Sequence, residues 1–429
     1  MTSRAPAVSA VVHPLPNGAT LLLAPMPHMA SVSVGFWVAV GGRHEEAAMS
    51  GVSHFIEHML FKGTRRRSAR QISEAVEGVG GYLNAFTSEE HTCYYARAPL
   101  PQFGLLVDVL GDMFLNPVFA AEEIDKERSV IKEEIAMYLD QPSQHVQELL
   151  NAALWPDHPL GRPLTGSPEG LDRLQRDELR SHFQQHYVGR NLIIAVAGNL
   201  TLRQAVRAVE PVARQLESGL RTPFLAATSR QRQPVIRLVT KEAEQTQLAL
   251  GIRTCSRQDP RRFALRILNA ILGENMSSRL FITLREDRAL AYSVGSSISF
   301  FADAGDLVVS LGLETANVRE ALRLIMAELA RLRARAPGRA EFQRALDYSL
   351  GQVDLGLETT EHRMNWLGEQ MLGHGRIQSP GHLKRRFKAV KPSDVRAVAR
   401  DFFRPEGLNL ALVSPLKRAG HFRTILGEM

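Results

Sequence analysis

An internal repeat constrains the fold of this 429-residue chain more than any other sequence feature. The predicted strands and helices of the first half recur in the second half at an offset of roughly 210–220 residues. For example, the segment Phe402 to Leu412 mirrors the segment His186 to Ala195. One repeat of this length indicates a duplicated domain and not a solenoid of short units. The chain is also too long for one ordinary hydrophobic core.

The duplication predicts two homologous domains joined by a linker. The polar stretch Arg214 to Gln233 interrupts the repeated pattern and is typical of a linker. We expect an N-terminal domain at 1–215, a linker at 216–233 and a C-terminal domain at 234–429. Strands with hairpin signals precede longer helical stretches in each half. We therefore predict an α+β fold in which each domain is a mostly antiparallel sheet with helices packed on one face.

The composition excludes several classes of protein. An apolar fraction of 44% with 23% charged residues is ordinary for a globular protein, and no apolar run is long enough to span a bilayer. We see no secretory signal, so we expect a location in the bacterial cytosol and no membrane partner. The chain has a net charge of +7, and its basic residues form two short runs, Arg65–Arg67 and Lys384–Arg386. Because no nucleic-acid reading module accompanies these runs, we expect no nucleic-acid partner.

The strongest chemical signal is the segment His54-Phe-Ile-Glu57-His58. On a helix, His54 and His58 project from one face, so both imidazoles can reach one ion at about 2.0–2.1 Å. Glu57 lies at the edge of this face, within reach of a water beside the ion. The order H-x-x-E-H inverts the common H-E-x-x-H motif and is a signature of zinc peptidases.

A second histidine pair illustrates the alternative interpretation. His182 and His186 have the same spacing but no carboxylate between them, and we interpret them as a pair that binds no metal. Histidines at helical spacing can be a hydrogen-bonded structural feature, and this interpretation also applies to His54 and His58 when they are taken alone. Because two histidines make a weak metal site, a third ligand is required.

We expect the third ligand in the glutamate-rich helix predicted at 121–139. Glu127 and Glu134 are two turns apart and share a face of this helix, whereas Glu133 is rotated by about 100° from Glu134. Apolar neighbours should leave the shared face half-buried, where an unpaired carboxylate is costly. A metal with its histidines would supply the pairing. An acidic solvated face is the alternative.

These motifs resemble those of the pitrilysin/insulin-degrading enzyme family of zinc metallopeptidases, over nearly the whole chain. The similarity is greatest to the short bacterial branch that resembles the β subunit of mitochondrial processing peptidase. The resemblance rests on the following segments: His54–Thr64, Gly80–Thr87, Glu127–Ile135, His158–Gly161 and Leu284–Tyr292. It implies a zinc metalloendopeptidase that acts on unfolded peptides or processing substrates, with two domains that close like a clam shell.

The resemblance also implies roles for the candidate residues of the first half. His54, His58 and Glu134 would hold one zinc ion per chain. Glu57 would be the general base that activates the attacking water. Glu127 would orient a ligand histidine from behind, a contact that commonly matters for metal affinity.

Two residues of the second half complete the implied catalytic set. Arg285 and Tyr292 would contact the substrate carbonyl in the closed chamber. Without the resemblance, the simpler interpretations are an ion pair of Arg285 with Glu286 or Asp287 and a core position for Tyr292. Family members often have glycine where this chain has Ala289, so the added methyl group puts the exact pose of Tyr292 in question.

The resemblance further implies how substrates and partners bind. Asn84, Ala85 and Phe86 match the edge strand that receives the substrate backbone. With only two domains in the chain, we expect a homodimer that completes the enclosure. The alternatives are a heterodimer, in which this chain supplies the zinc half of a hetero-oligomeric peptidase, and a non-catalytic structural subunit.

Overall fold

A computed structural model of the chain describes residues 10–228 and 230–428, which form two compact units. The first unit comprises the described residues up to Ile135 together with Arg162–Leu225 and Asp354–Pro380. The second comprises Ala136–Gly161, Ala226–Val353 and the described residues from Gly381 onward. Each unit therefore includes a segment that the linear division at 215 and 234 assigns to the other half.

The first unit contains a six-stranded sheet. Its strands are β1 (Val11–Pro14), β2 (Thr20–Pro25), β3 (Ser31–Val38), β4 (Tyr82–Thr87), β5 (Thr92–Pro99) and β6 (Leu192–Gly198). They lie in the order β1-β2-β6-β3-β5-β4. All neighbouring strands are antiparallel except β2 and β6, which are parallel.

The second unit contains a five-stranded sheet that repeats this arrangement. Its strands are β7 (Val235–Thr240), β8 (Thr246–Thr254), β9 (Ala291–Phe300), β10 (Gly305–Leu313) and β11 (Leu408–Ser414). They lie in the order β7-β11-β8-β10-β9, with one parallel pair, β7 and β11. This order matches β2-β6-β3-β5-β4 strand for strand. The predicted duplication of a mostly antiparallel α+β domain is confirmed.

Residues 10–228 and 230–428 also contain fifteen α-helices, a π-helix and several 3₁₀ helices of three residues each. The first eight are α1 (Val52–Leu60), α2 (Ala69–Glu77), α3 (Phe103–Leu115), α4 (Ala121–Asp140), α5 (Pro142–Leu154), α6 (Pro168–Arg173), α7 (Arg176–His186) and α8 (Leu202–Ala213). The others are α9 (Arg262–Leu272), the π-helix (Phe281–Glu286), α10 (Val318–Ala334), α11 (Arg339–Leu355), α12 (Thr360–His374), α13 (Pro380–Ala389), α14 (Pro392–Phe402) and α15 (Phe422–Leu426). Within these described ranges, no helix has both the length and the apolar character needed to cross a membrane.

Helices cover both faces of each sheet, not one face as the sequence led us to expect. Helices α1–α3, α7 and α8 bury the main core of the first unit against one face of its sheet. The opposite face is covered by α12, where the Trp37 indole N–H lies 3.3 Å from Met364 Sδ. In the second unit, α5 places Leu150 and Leu154 on the corresponding face. Thus α5 and α12 each pack on the sheet formed by the other half of the sequence.

Candidate metal centre

Two helices of the first unit bring the three predicted metal ligands together. His54 and His58 lie one turn apart on α1, with ring centroids separated by 4.7 Å. Glu134 on α4 places Oε2 3.7 Å from His54 Nε2 and 3.8 Å from His58 Nε2. Around tetrahedral zinc, neighbouring ligand atoms lie roughly 3.3–3.5 Å apart. A small inward shift of these side chains would therefore suit one zinc ion.

The chemistry of this donor set also fits zinc. Two imidazoles and one carboxylate are the ligands of a common class of catalytic zinc site. Burial, with a smaller effect of nearby His58, lowers the pKa of His54 to about 4. The imidazole is therefore neutral at physiological pH and has a lone pair for a metal. In the part of the chain that the structure describes, only His54, His58 and Glu134 form such a group, with ligand atoms within 4.8 Å of one another.

The second histidine pair has different neighbours from the first. His182 and His186 on α7 have ring centroids 4.3 Å apart, and His186 Nδ1 lies 2.8 Å from the hydroxyl of Thr222. They belong to no three-ligand group of the kind found around His54, as far as the described residues go. That this pair binds no metal stays a prediction.

Glu127 contacts His58, the ligand histidine that it would orient by the resemblance; that role stays a prediction. Its Oε2 lies 3.0 Å from His58 Nδ1, and its Oε1 accepts a hydrogen bond from Lys62 Nζ at 2.6 Å. Burial alone would raise the pKa of Glu127, but the bonds to His58 and Lys62 hold it below its ordinary value. An ionised Glu127 can only accept a hydrogen bond, so it favours the His58 tautomer with its proton on Nδ1 and a lone pair on Nε2. Lys62 follows His58 by one helical turn but was not predicted to belong to the site.

Glu57 lies beside the ligand group without belonging to it. Its Oε2 accepts a hydrogen bond of 2.5 Å from the hydroxyl of Thr87 on β4. Burial raises the pKa of Glu57 above its ordinary value, and the bond from Thr87 acts in the opposite direction. The carboxyl group therefore has a fixed orientation and an increased affinity for a proton. Thr87 fell within a motif noted in the sequence, but nothing there indicated its contact with Glu57.

The predicted substrate-binding residues lie on the edge of the first sheet. Asn84, Ala85 and Phe86 belong to β4, which pairs with β5 on one side. No strand among the described residues pairs with its other side. The same strand ends at Thr87, whose hydroxyl contacts Glu57. One end of the free edge therefore lies beside the candidate metal centre.

Arg285 and Tyr292 lie side by side in the second unit. The Arg285 guanidinium carbon is 4.9 Å from the centroid of the Tyr292 ring and 4.8 Å from that of Phe281. Tyr292 is 79% exposed, so its interpretation as a core residue is wrong. The contact of Arg285 Nε with Glu286 Oε1 is long, at 3.9 Å. The structure therefore contradicts the alternative considered for Tyr292, whereas the alternative considered for Arg285, an ion pair with Glu286, is present as a long contact.

Ala289 adopts a backbone conformation that favours glycine. Its φ is +50°, in the left-handed region where a Cβ atom is disfavoured by roughly 1–2 kcal/mol. This conformation gives a physical reason for the glycine that the family resemblance implies at this position. The strained residue lies two positions before the first residue of β9, in the turn that presents Tyr292.

A buried glutamate caps the helix that carries the histidines. Glu45 Oε2 accepts the backbone N–H of Gly51 at 2.7 Å, and Oε1 accepts that of Ser53 at 2.8 Å. Burial raises the pKa of Glu45 to about 7, against the effect of these two bonds and of Arg162. The sequence analysis missed Glu45, because no helical or strand periodicity links it to His54 nine residues later.

Comparisons with known proteins identify the family. The model described as Insulinase (Peptidase family M16) matches residues 21–168, and that described as Peptidase M16 inactive domain matches residues 173–348. An uncharacterized zinc protease of Streptomyces coelicolor is 38% identical over 94% of this chain and 89% of its own length. The uncharacterized zinc protease YmxG of Bacillus subtilis is 36% identical over 93% and 97%. The chain belongs to peptidase family M16, the insulinase family, as its motifs predicted.

Solved structures share the fold at lower sequence identity. A protease from Helicobacter pylori superposes with a TM-score of 0.89 at 20% identity, covering 95% of this chain and all of that chain. A Pseudomonas fluorescens structure described as a peptidase M16 inactive domain gives a TM-score of 0.88 at 17% identity, covering 95% of this chain and 98% of that chain. These similarities establish the fold. The more specific likeness to the mitochondrial processing peptidase branch stays a prediction.

Proposed function

We propose that this protein is a zinc metalloendopeptidase that hydrolyses peptide bonds in unfolded peptides or processing substrates. The observation that carries the proposal is the convergence of His54, His58 and Glu134, with Glu57 beside them and outside the ligand group. The names of the Streptomyces and Bacillus relatives, both zinc proteases, support the choice of metal.

The proposed mechanism assigns the proton transfers to Glu57. When bound by the three ligands, zinc would polarise a water molecule and lower its pKa toward about 7. Glu57 accepts a proton from the attacking water and delivers it to the nitrogen of the leaving amine. Its burial favours the protonated form after the first transfer, and Thr87 keeps the carboxyl group oriented through both transfers.

The free edge of β4 is the proposed binding site for the substrate backbone. An extended peptide added beside Asn84, Ala85 and Phe86 would form main-chain hydrogen bonds with the strand. Recognition of this kind depends little on side chains and requires an unfolded segment. The contact between Thr87 and Glu57 puts one end of this edge next to the proposed base.

Arg285 and Tyr292 are the proposed hydrogen-bond donors to the substrate carbonyl oxygen. A guanidinium and a phenol group are hydrogen-bond donors that can stabilise the negative charge of a tetrahedral transition state. The exposure of Tyr292 and its stacking against Arg285 are compatible with this role. Kinetic analysis of Tyr292 variants tests this role.

A comparison of the wild type with Glu57→Gln tests the proposal. We would measure hydrolysis of a mixed set of unstructured peptides and the zinc content of the same samples. We expect Glu57→Gln to retain zinc and to lose activity by roughly 10²- to 10⁴-fold, the usual contribution of a general base. Glu133→Gln, an exposed position on α4, is the matched control and should be fully active.

The remaining outcomes separate the alternatives. Zinc bound without cleavage by the wild type would point to a missing partner chain or to a structural subunit. A wild type that contains no zinc and cleaves no peptide would refute the proposed function. Light scattering of the purified chain tests the expected homodimer, and a monomer alone would contradict it.

A further inference from the structure

We infer that Glu45 is a positioning residue for the metal centre, because its cap on the first turn of α1 sets the location of His54. The inference rests on the proposed zinc function and assigns it an additional determinant. Glu45 lies on the loop before α1 and is only 5% exposed. Its carboxylate accepts hydrogen bonds from two backbone amides at the start of the helix. It is not itself one of the proposed metal ligands.

The first turn of α1 has no cap of its own. Gly51 precedes the helix with φ +94°, and it has no side chain to accept the amide hydrogens of the first turn. Glu45 replaces this missing cap by accepting the Gly51 and Ser53 amides, one with each carboxylate oxygen. Backbone amides at a helix start otherwise need a side chain or water as partner. Glu45 therefore fixes the backbone immediately before His54.

Close backbone packing prevents an ordinary capping residue at this position. A Cβ atom on Gly51 would lie 2.8 Å from the carbonyl oxygen of Thr165, closer than such contacts allow. Gly166, the next residue of the same facing segment, is also tightly packed, since its Cβ would lie 2.5 Å from the carbonyl oxygen of Ser50. The helix start must therefore be capped from elsewhere in the chain, and Glu45 supplies that cap.

The two histidines differ in how they are held, which makes His54 the sensitive one. His58 Nδ1 is anchored by Glu127 at 3.0 Å. The buried Nδ1 of His54 has no hydrogen-bond partner among the residues that the structure describes. The position of the His54 ring consequently depends on the backbone of the first turn, which Glu45 holds.

The test compares Glu45→Gln with Thr201→Ala. Glutamine keeps the size of Glu45 but puts an NH₂ group, which cannot accept a hydrogen bond, against one of the two backbone amides, so we expect the first turn to shift. Thr201→Ala removes the side-chain cap of α8 in the same unit, which carries no proposed metal ligand. Zinc dissociation constants are measured by competition with a chelator, and thermal unfolding of the metal-free proteins verifies folding. The visible absorption of the Co²⁺-loaded proteins reports ligand geometry.

We expect Glu45→Gln to weaken zinc binding about tenfold or more, a magnitude typical of residues that orient metal ligands. Its Co²⁺ spectrum should change, whereas Thr201→Ala should keep the wild-type zinc affinity and spectrum. Wild-type zinc affinity and an unchanged Co²⁺ spectrum in Glu45→Gln would overturn the inference, whatever its unfolding temperature. If Glu45→Gln does not fold, Glu45→Asp replaces it and is judged by the same criteria. A wild-type protein that binds no zinc would instead refute the proposed function.

Discussion

Replacement of Glu127 by glutamine tests how the metal centre is oriented. The Glu127 carboxylate has one oxygen 3.0 Å from His58 Nδ1 and the other 2.6 Å from Lys62 Nζ. Glutamine has one oxygen and one NH₂ group, so it can satisfy only one of these neighbours. If its oxygen faces Lys62, the NH₂ group donates to His58 Nδ1. The remaining proton of His58 then moves to Nε2, where it blocks metal binding.

The opposite orientation of the glutamine is also unfavourable. With its oxygen toward His58, the NH₂ group faces the Lys62 ammonium, which has no lone pair to accept a hydrogen bond. Both arrangements weaken the orientation of His58. Loss of such a partner commonly lowers metal affinity by about 10- to 100-fold, equivalent to roughly 1.4–2.7 kcal/mol. We expect Glu127→Gln to raise the zinc dissociation constant by this factor.

Competition with a chromogenic chelator at fixed pH measures this constant. Glu133→Gln is the matched control, since it makes the same chemical change on the same helix at an exposed position. The control should bind zinc like the wild type. If Glu127→Gln binds zinc within a factor of two of the wild type, the proposed role of Glu127 in orienting His58 is refuted.

Three further predictions address other parts of the molecule. In metal-free protein the pKa of Glu45 is about 7 when folded against 4.5 ordinarily, so its ionisation opposes folding as pH rises from about 4.5 through 7. This effect is at most about 3.4 kcal/mol. Glu45→Gln should therefore flatten the pH dependence of the unfolding temperature, and an unchanged slope would contradict the raised pKa. Tyr292→Phe should lower kcat for peptide hydrolysis by roughly 10²-fold with little change in KM, and an unaffected kcat would exclude Tyr292 from the mechanism. Gly368→Ala should lower the free energy of unfolding in urea by about 1–3 kcal/mol, because the new Cβ would lie 2.3 Å from the buried Trp37 ring. Full stability would contradict the packing of α12 on the first sheet.

Short-range periodicity explains what could be predicted from the sequence. The spacing of His54 and His58 predicted that both face one ion, and the structure has their rings 4.7 Å apart. The two-turn spacing of Glu127 and Glu134 predicted a shared face, and both approach the histidines, while Glu133 is exposed. The repeat predicted matching sheets, and the strand orders agree. Each of these predictions depends on geometry within one element or on direct duplication.

Long-range contacts explain what could not be predicted. The apolar face of α12 shows that the helix packs on a sheet, but it does not show which of two similar sheets that is. Glu45 and Thr87 both form hydrogen bonds with residues of α1. No helical or strand spacing relates either residue to α1 in the sequence. The left-handed conformation of Ala289 is a further case, because no local sequence pattern predicts it. Such contacts depend on the tertiary fold and not on local sequence pattern.

The zinc content of purified protein tests the central claim most directly. We would determine zinc per chain by elemental analysis for the wild type, His54→Ala and His58→Ala, with His182→Ala as the control from the other histidine pair. The account predicts one zinc per chain in the wild type and in His182→Ala, and strongly reduced zinc in the two α1 variants. Zinc that remains bound in both His54→Ala and His58→Ala, or that is lost only in His182→Ala, would contradict it.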